Sequence, residues 1–351
     1  MKTRLAILGV GRWGTHLVRN FLAHPQAEVV AIADPVADNL TRIQEKFSLD
    51  PQSILLTSDW STIKQQVDLE AIVVVTPAST HYPLIKEALS SGYHVLAEKP
   101  LTLDPGECLE LTRLATAQKR QLMIDHTYLF HAAVNQGKST VEAGSLGKLR
   151  YGYASRTHLG PVRQDVDALW DLAIHDLSIF NHWLGEYPNQ VQAQGTIWLQ
   201  SDRRTPLSPD GLGDMVWVRL SYPSGFQATI HLCWCNPDKQ RRLCVVGSEG
   251  TLIFDEMSQN EPLVLQQGYL QPQGEKWIPQ GQNKQVIAVA KAEPLKVVCD
   301  RFLDSIRTNQ PCEISSGIVA TKLVQILTAL SHSLEQKGAT ISIPPLDPVS
   351  R

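Results

Sequence analysis

A glycine-rich turn near the start of the chain constrains the fold more than any other feature. The turn Gly9-Val-Gly-Arg-Trp-Gly14 directly follows the apolar run Leu5–Leu8 and opens a helical pattern, and Asp34 lies 20 residues beyond Gly14 at the end of the second apolar run. A strand, a turn that lets a pyrophosphate approach a helix N-terminus, and an acid placed for ribose hydroxyls predict a dinucleotide site. The turn residues expected to contact the dinucleotide are Gly9, Gly11, Arg12, Trp13 and Gly14.

The same acid indicates which dinucleotide is bound. A carboxylate at Asp34 repels a ribose 2′-phosphate, and Pro35 follows it instead of an arginine that would neutralise such a phosphate. We therefore predict NAD in preference to NADP. A structural glycine turn beside a solvated aspartate is the alternative that the residues alone leave open.

Short apolar runs alternate with helical patterns through the first third of the chain. Continuous Val/Ile/Leu runs are typical of parallel strands that are covered on both faces, and their alternation with helices predicts a doubly wound α/β domain. The runs are Leu5–Leu8, Val29–Ala33, Ala71–Val75 and Tyr93–Ala97, and the helical patterns cover residues 12–23, 36–47, 80–91 and 104–119.

The pattern changes after Ile124. A helical stretch at 128–143 precedes strand-like segments, and Tyr222-Pro-Ser-Gly-Phe226 between two alternating runs predicts a hairpin. We expect an antiparallel sheet, with the polar stretch 255–285 as loops and edge strands, and then two helices and a short strand. The strand-like segments are Leu149–Thr157, 190–200, 213–222 and 225–234, and the closing elements are 292–308, 315–337 and 340–343.

Chain length agrees with two domains. The 351 residues amount to roughly 2.3 domains of about 150 residues each. We predict a dinucleotide-binding domain over residues 1–124 and a substrate-binding domain over residues 125–351.

Two further segments follow strands of the first domain and are expected at the same sheet edge as the turn. Thr76-Pro77, with His81 one turn later, follows one strand, and Glu98-Lys99-Pro100 ends the next. Ligands of open α/β sheets bind beyond the carboxyl ends of the strands. We list Thr76, Pro77, His81, Glu98 and Lys99 as candidate cofactor contacts, with a surface role for Lys99 as the alternative.

A predicted helix from Trp170 to Gly185 carries a polar stripe. At about 3.6 residues per turn, Asp171, His175, Ser178 and His182 fall within one arc. The opposite arc holds Ala173, Leu177, Phe180 and Leu184, so that arc packs and the polar one is free to line a cleft. Asp171 and His175 are i, i+4 neighbours, which lets the carboxylate orient the imidazole of a general base.

Several polar residues have two possible roles. Arg156 and Arg163 either bind a phosphate or carboxylate of a substrate or form ordinary ion pairs. Asp176 either touches substrate or caps a neighbour. His126 and Tyr128 either reach the crevice or pack in the core.

Composition excludes several classes of protein. The chain has 32 Lys and Arg residues and 35 Asp and Glu residues, which give a net charge of −3. The sequence contains no basic stripe of the kind that binds nucleic acid, so a nucleic-acid-binding protein is not expected. No leader sequence is visible, and no run reaches the ~18 apolar residues of a membrane span. The six cysteines fit neither a disulfide framework nor a zinc pattern, so we expect a cytoplasmic protein with reduced thiols and no metal.

The motifs together resemble the Gfo/Idh/MocA family of NAD(P)-dependent sugar and inositol oxidoreductases. The match rests on the turn Gly9–Gly14, Thr76-Pro77 with His81, Glu98-Lys99-Pro100, and Asp171 with His175-Asp176. The resemblance implies a Rossmann domain joined to an α/β domain with a large, mostly antiparallel sheet, assembled as homodimers or homotetramers through that sheet.

The resemblance also implies roles for individual residues. Lys99 orients the reacting hydroxyl, His175 is the acid/base, Asp171 supports it, and Lys99, Arg163, Asp171 and His175 meet the substrate. The stretch from Arg163 to Ala173 is most similar to members that oxidise nucleotide-linked amino sugars, such as UDP-N-acetylglucosamine 3-dehydrogenases. Ala173 and Ile174 depart from that subgroup, which often has Gly and Pro there.

The expected function is hydride transfer between a sugar or sugar-nucleotide hydroxyl and NAD. One alternative is a redox-neutral glycosidase or epimerase that retains NAD and regenerates it in each cycle. Another is a non-catalytic sugar-sensing regulator, which would be expected to lack Lys99, Asp171 and His175.

Overall fold

The computed structural model describes residues 2–346 and divides the chain into two compact units. The first unit contains residues up to Phe130 together with Glu293–Val324, and the second contains His131–Ala292 together with Gln325–Leu346. The strands are β1 Thr3–Leu8, β2 Ala27–Ala33, β3 Leu55–Thr57, β4 Ala71–Val74, β5 His94–Glu98, β6 Leu122–Asp125, β7 Leu149–Leu159, β8 Gln190–Thr196, β9 Met215–Ser221, β10 Gln227–Cys233, β11 Cys235–Gly247, β12 Gly250–Asp255, β13 Leu263–Gln273, β14 Lys276–Val286 and β15 Ile341–Ser342. The helices are α1 Gly14–Ala23, α2 Ala37–Phe47, α3 Trp60–Gln66, α4 His81–Ser90, α5 Pro105–Ala117, α6 Ala132–Glu142, α7 Ala168–Leu184, α8 Pro294–Thr308 and α9 Gly317–Glu335.

The sheet of the first unit is parallel, with the strand order β3-β2-β1-β4-β5-β6. This is the order of a Rossmann fold, in which the direction of winding reverses between β1 and β4. All four residues of β4 are buried, as expected of a strand with both faces covered. The predicted doubly wound α/β domain is confirmed, and the structure adds the short strand β3, which the apolar runs did not reveal.

Helix α8 belongs to the first unit, although the sequence assigned residues 125–351 to the second domain. Its residues Val298, Phe302 and Leu303 are buried in the same apolar cluster as Leu17 and Phe21 of α1. His24 Nε2 also lies 2.7 Å from Asp300 Oδ1. The chain therefore returns to the first unit after residues 131–292 of the second unit. A domain boundary placed from local sequence patterns does not capture such packing between distant segments.

The sheet of the second unit is large and mostly antiparallel, as expected. Its strand order is β14-β13-β12-β11-β7-β10-β9-β8-β15, and β7 and β10 run parallel. Strands β9 and β10 form the predicted hairpin, where Tyr222 N donates to Phe226 O over 2.9 Å and Gly225 takes a φ of 87°. The polar stretch around 255–285 is more regular than expected, because β13 and β14 form a long ribbon at the sheet edge.

Helix α7 is the central helix of the second unit. Asp167 caps its first turn by accepting from Trp170 N at 3.0 Å, and Gly185, with a φ of 69°, ends it as predicted. Trp183 Nε1 donates to the carbonyl oxygen of Val134 on α6 over 2.8 Å. These contacts fix the rotation of the helix and so the direction of its polar side chains.

The cysteines are free thiols, and one helix is long and apolar. None of the six cysteines, all of which lie within residues 2–346, forms a disulfide. By length and composition α9 is apolar enough to cross a membrane, but 61% of the window concerned is buried, as in a core helix of a globular protein.

Candidate active site

The three glycines of the turn meet three different steric demands. Gly9 has a φ of 90°, and a Cβ there would lie 2.7 Å from the carbonyl oxygen of Val75. A Cβ at Gly14 would collide with the backbone of Gly9, whereas a Cβ at Gly11 would meet no atom of the described residues within 4 Å. Gly9 and Gly14 are thus required by the protein's own packing. Gly11 borders open space, which fits a backbone left bare for an approaching pyrophosphate.

Asp34 holds the turn from the end of β2. Its Oδ2 accepts from Val10 N at 2.8 Å, and its Oδ1 accepts from Val36 N at 2.9 Å and from Asn39 Nδ2 at 3.1 Å. The side chain is 5% exposed. A carboxylate fixed next to the turn is suited to accept hydrogen bonds from ribose hydroxyls, so these residues fit NAD.

Arg42 of α2 joins this arrangement, although the sequence reading did not single it out. Its Nη2 donates to the carbonyl oxygen of Val10 and to Asn39 Oδ1, at 3.2 and 2.8 Å. The sequence signal for these contacts is weak. It consists of the spacing of Asn39 and Arg42, which lie one turn apart on the helix that follows Asp34.

Thr76 and Pro77 follow β4 as predicted. Thr76 is half-buried and Pro77 is exposed. His81 is buried instead, with Nε2 2.8 Å from the carbonyl oxygen of Thr76 and Nδ1 2.9 Å from that of Pro100. His81 thus links the loops that follow β4 and β5, and its contact with cofactor phosphate or ribose stays a prediction.

Lys99 is placed at the carboxyl end of β5, the strand next to β4. Its backbone N–H donates to Glu98 Oε2 over 3.0 Å, and the residue is half-buried. Glu98 lies opposite Asp125 of β6 in the parallel register. The sequence reading missed Asp125, although its position at the end of an apolar run signals the same sheet edge.

The polar stripe of α7 is narrower than predicted. Asp171 and His175 are half-buried on this arc, but Ser178 is only 4% exposed and its Oγ donates to the carbonyl oxygen of His175. His182 is half-buried, and its burial lowers its pKa to about 4. The arc is thus not open along its length, because the helix is packed on nearly all sides, and only its first two polar positions are suited to face a ligand.

Both arginines that had two possible roles form ion pairs. Arg156 of β7 and Asp176 of α7 are both buried and bind each other through two contacts, Nε to Oδ2 at 2.7 Å and Nη2 to Oδ1 at 3.1 Å. Arg163 donates to Asp165 and, over 3.3 Å, to Asp171 Oδ1. Arg156 and Asp176 thus fix α7 on the sheet. Arg163 contacts Asp171, the group proposed to orient His175, and its contact with substrate stays a prediction.

His126 is buried in the first unit and is not a crevice residue. Its Nδ1 lies 2.8 Å from Ser315 Oγ, and burial, with a smaller effect of the charge on Lys99, lowers its pKa to about 3. The imidazole is therefore neutral at physiological pH. In residues 2–346, no group of three or more His, Cys, Asp or Glu side chains is arranged to hold a metal ion.

A parallel sheet of Rossmann order, with a glycine turn fitted to a pyrophosphate and an acid fitted to ribose, defines a dinucleotide-dependent enzyme. Two family models match the chain: one described as "Oxidoreductase family, NAD-binding Rossmann fold" over residues 3–126, and one described as "GFO/IDH/MocA C-terminal domain" over residues 134–253. The chain belongs to the Gfo/Idh/MocA family of NAD-dependent oxidoreductases.

Relatives cover nearly the whole chain. A UDP-N-acetylglucosamine 3-dehydrogenase from Acidithiobacillus ferrooxidans is 25% identical over 337 residues, which cover 95% of this chain and 99% of that protein. A scyllo-inositol 2-dehydrogenase (NAD(+)) from Bacillus subtilis is 25% identical over 75% of this chain and 77% of that protein. The crystal structure of a candidate oxidoreductase from Magnetospirillum magnetotacticum is 30% identical with a TM-score of 0.76, covering 94% of this chain and all of that one.

We expect Asp34→Asn to weaken the preference for NAD over NADP by about 10- to 100-fold. The substitution removes the charge that repels a 2′-phosphate, and it weakens charge-assisted hydrogen bonds worth about 1.5–3 kcal/mol. The ratio of kcat/KM values for NAD and NADP measures the effect, with Asp38→Asn, an exposed position on α2, as the control. An unchanged ratio in Asp34→Asn would rule out this role for Asp34.

Proposed function

We propose that this enzyme transfers a hydride between a hydroxyl-bearing carbon of a sugar or sugar nucleotide and NAD. The observation that carries the proposal is that Lys99 ends β5 at the sheet edge where the glycine turn and Asp34 also lie. A lysine at this edge would be suited to bind a hydroxyl that reacts with bound NAD, and the pair Asp171 and His175 on α7 supplies a candidate base.

The roles of the residues follow from their chemistry. Bound NAD supplies the hydride acceptor at its nicotinamide ring. His175 takes the hydroxyl proton as general base, and Asp171 orients the imidazole from one turn earlier on α7. Lys99 donates to the hydroxyl oxygen and favours the negative charge that develops on it.

A sugar or a sugar nucleotide is the proposed substrate class. The names of the relatives from Acidithiobacillus and Bacillus support it, since they describe enzymes for a UDP-linked amino sugar and an inositol. Arg163 is the candidate for an anionic group of the substrate. Because Asp165 and Asp171 already contact it, such a group would have to displace Asp165.

A panel of UDP-sugars, free sugars and inositols, each assayed with NAD and NADP by nicotinamide absorbance, tests the proposal. We expect at least one of them to reduce NAD with saturation kinetics and to be inactive with a Lys99 variant. Absence of nicotinamide reduction across the panel, with sugar product formed, would contradict it.

A second candidate function is a redox-neutral reaction that retains NAD. It is favoured by a relative from Mediterraneibacter gnavus, 27% identical over 54% of this chain, which is named 2,7-anhydro-N-acetylneuraminate hydratase, because adding water involves no net oxidation. Protein purified with NAD bound, which turns over sugar without a net change in nicotinamide absorbance, would support this candidate over the first.

We further propose that two copies associate through the uncovered face of the second unit's sheet. Tyr151, Tyr153 and Trp217 are 49%, 39% and 52% exposed, and Trp217 stacks on His231 with ring centroids 4.2 Å apart. Large exposed aromatic groups on one sheet face are typical of interfaces.

We also propose a reducing, cytoplasmic compartment, which the free thiols support.

We expect Trp217→Asp to weaken self-association by at least about tenfold, since a buried aromatic anchor contributes strongly to an interface. Sedimentation analysis over a range of concentrations measures the effect. Leu22→Asp, at an exposed apolar position of α1, is the control. A Trp217→Asp protein with the wild-type assembly would exclude this face.

A further inference from the structure

Two carboxyl residues are neighbours at the carboxyl ends of β5 and β6, and one of them directly precedes the candidate catalytic lysine in the chain. Glu98 and Asp125 are register partners on adjacent parallel strands. Asp125 is 1% exposed, and the Glu98 atom Oε1 is buried. Neighbouring strands lie about 4.8 Å apart, so register partners on adjacent parallel strands hold their side chains close together.

Each carboxyl group has one oxygen with a donor and one without. Glu98 Oε2 accepts from Lys99 N at 3.0 Å, and Asp125 Oδ1 accepts from Thr127 Oγ1 at 2.7 Å. Among the described residues, neither Glu98 Oε1 nor Asp125 Oδ2 has a hydrogen-bond donor. A proton shared between two adjacent buried carboxyl groups satisfies an oxygen of each, and two adjacent carboxylates do not both ionise readily.

Lys99 provides positive charge near the two carboxyl groups. Burial, followed by the charge on Asp125, raises the pKa of Glu98, and burial also raises the pKa of Asp125, while Lys99 opposes both shifts. The other titratable groups near Asp125 are His126, which is neutral, and the buried Cys299 thiol, whose pKa is raised by burial. The side chain of Trp13, from the glycine turn, also stabilises the ionised form of Asp125.

We propose that Glu98 and Asp125 share one proton and, with the single negative charge that remains, act as positioning residues for Lys99. This inference rests on the proposed function, in which Lys99 acts on the hydroxyl. The pair fixes the backbone of Lys99 through Glu98 Oε2 and matches one positive charge with one negative charge. Trp13, from the cofactor turn, lies near the same pair.

The variants Glu98→Gln, Asp125→Asn and their double mutant separate this arrangement from a merely structural one. In either single variant the amide N–H replaces the shared proton, and one negative charge is kept. We therefore expect the kcat plateau of each single variant to extend to higher pH than that of the wild type, because no shared proton is left to lose. The double variant loses the charge, and a misplaced Lys99 should lower kcat by about 100-fold while NAD affinity, measured by calorimetry, is kept.

Infrared spectroscopy at pH 8 provides a readout that does not depend on activity. Surface carboxyl groups are ionised at this pH, so we expect a protonated-carboxyl C=O band in the wild type that disappears in both single variants. Glu110→Gln, at a side chain 50% exposed on α5, is the control that should keep the band. Thermal unfolding is measured for all variants to test whether each one is folded.

Three results would overturn the inference: a wild-type spectrum without the band, a single variant as impaired as the double one, or a double variant with wild-type kcat. Failure of the proposed function has a different signature. If Lys99→Met retains full turnover, Lys99 is not catalytic, whereas the infrared comparison still decides whether the carboxyl pair shares a proton.

Discussion

Lys99→Met is expected to lower kcat by about 100- to 1000-fold and to leave the affinity for NAD within about threefold of the wild type. Removing one preformed donor from a developing oxyanion has an effect of this size. Methionine preserves the length and the apolar stem of the side chain, and the backbone hydrogen bond from residue 99 to Glu98 is kept. The change therefore isolates the ammonium group.

Steady-state kinetics and calorimetric titration with NAD measure these two quantities separately. Lys86→Met, at a side chain 46% exposed on α4, serves as the matched control and should retain wild-type kcat. Unchanged turnover in Lys99→Met would remove Lys99 from the mechanism. A parallel loss of NAD affinity would instead assign Lys99 to cofactor binding alone.

His175→Asn is expected to lower kcat by about 100- to 10,000-fold, the range for loss of a general base. Asparagine fills a similar space on α7 but does not accept a proton near neutral pH. The decrease should be largest near neutral pH and smaller at alkaline pH, where hydroxide replaces the base. The pH profile of kcat/KM, measured with the best substrate of the panel, tests this.

His182→Asn is the matched control on the same helix, because His182 lies two turns further along the same arc. Its burial lowers its pKa to about 4, so the side chain is neutral near pH 7 and carries no charge that the substitution removes. Wild-type kinetics are expected for this variant. A flat, wild-type pH profile in His175→Asn would exclude His175 as the base.

The local features of the first unit could be predicted from the sequence because their causes are local. The glycines at 9, 11 and 14 report the steric limits of a turn, and Asp34 follows at a distance set by one helix and one strand. Likewise, the position of Lys99 follows from the end of an apolar run. In each case a short stretch of chain contains both the signal and the contacts that explain it.

The features that could not be predicted depend on contacts between distant segments. Helix α8 packs against α1 across more than 250 residues of sequence, so composition near residue 300 says nothing about its unit. The helical period of α7 gave the arc of Asp171 and His175 correctly, but not the burial of Ser178, which depends on what surrounds the helix. The proximity of Asp125 to Glu98 could not be predicted, because it depends on the register between β5 and β6.

Deuterium transfer tests the central claim most directly. The active sugar of the panel, deuterated at the carbon that bears the reacting hydroxyl, is incubated with the enzyme and NAD, and the reduced nicotinamide is analysed by mass spectrometry. We expect one deuterium in each NADH formed, and loss of that product in Lys99→Met and His175→Asn. Sugar product that forms while no deuterium enters the nicotinamide would contradict it.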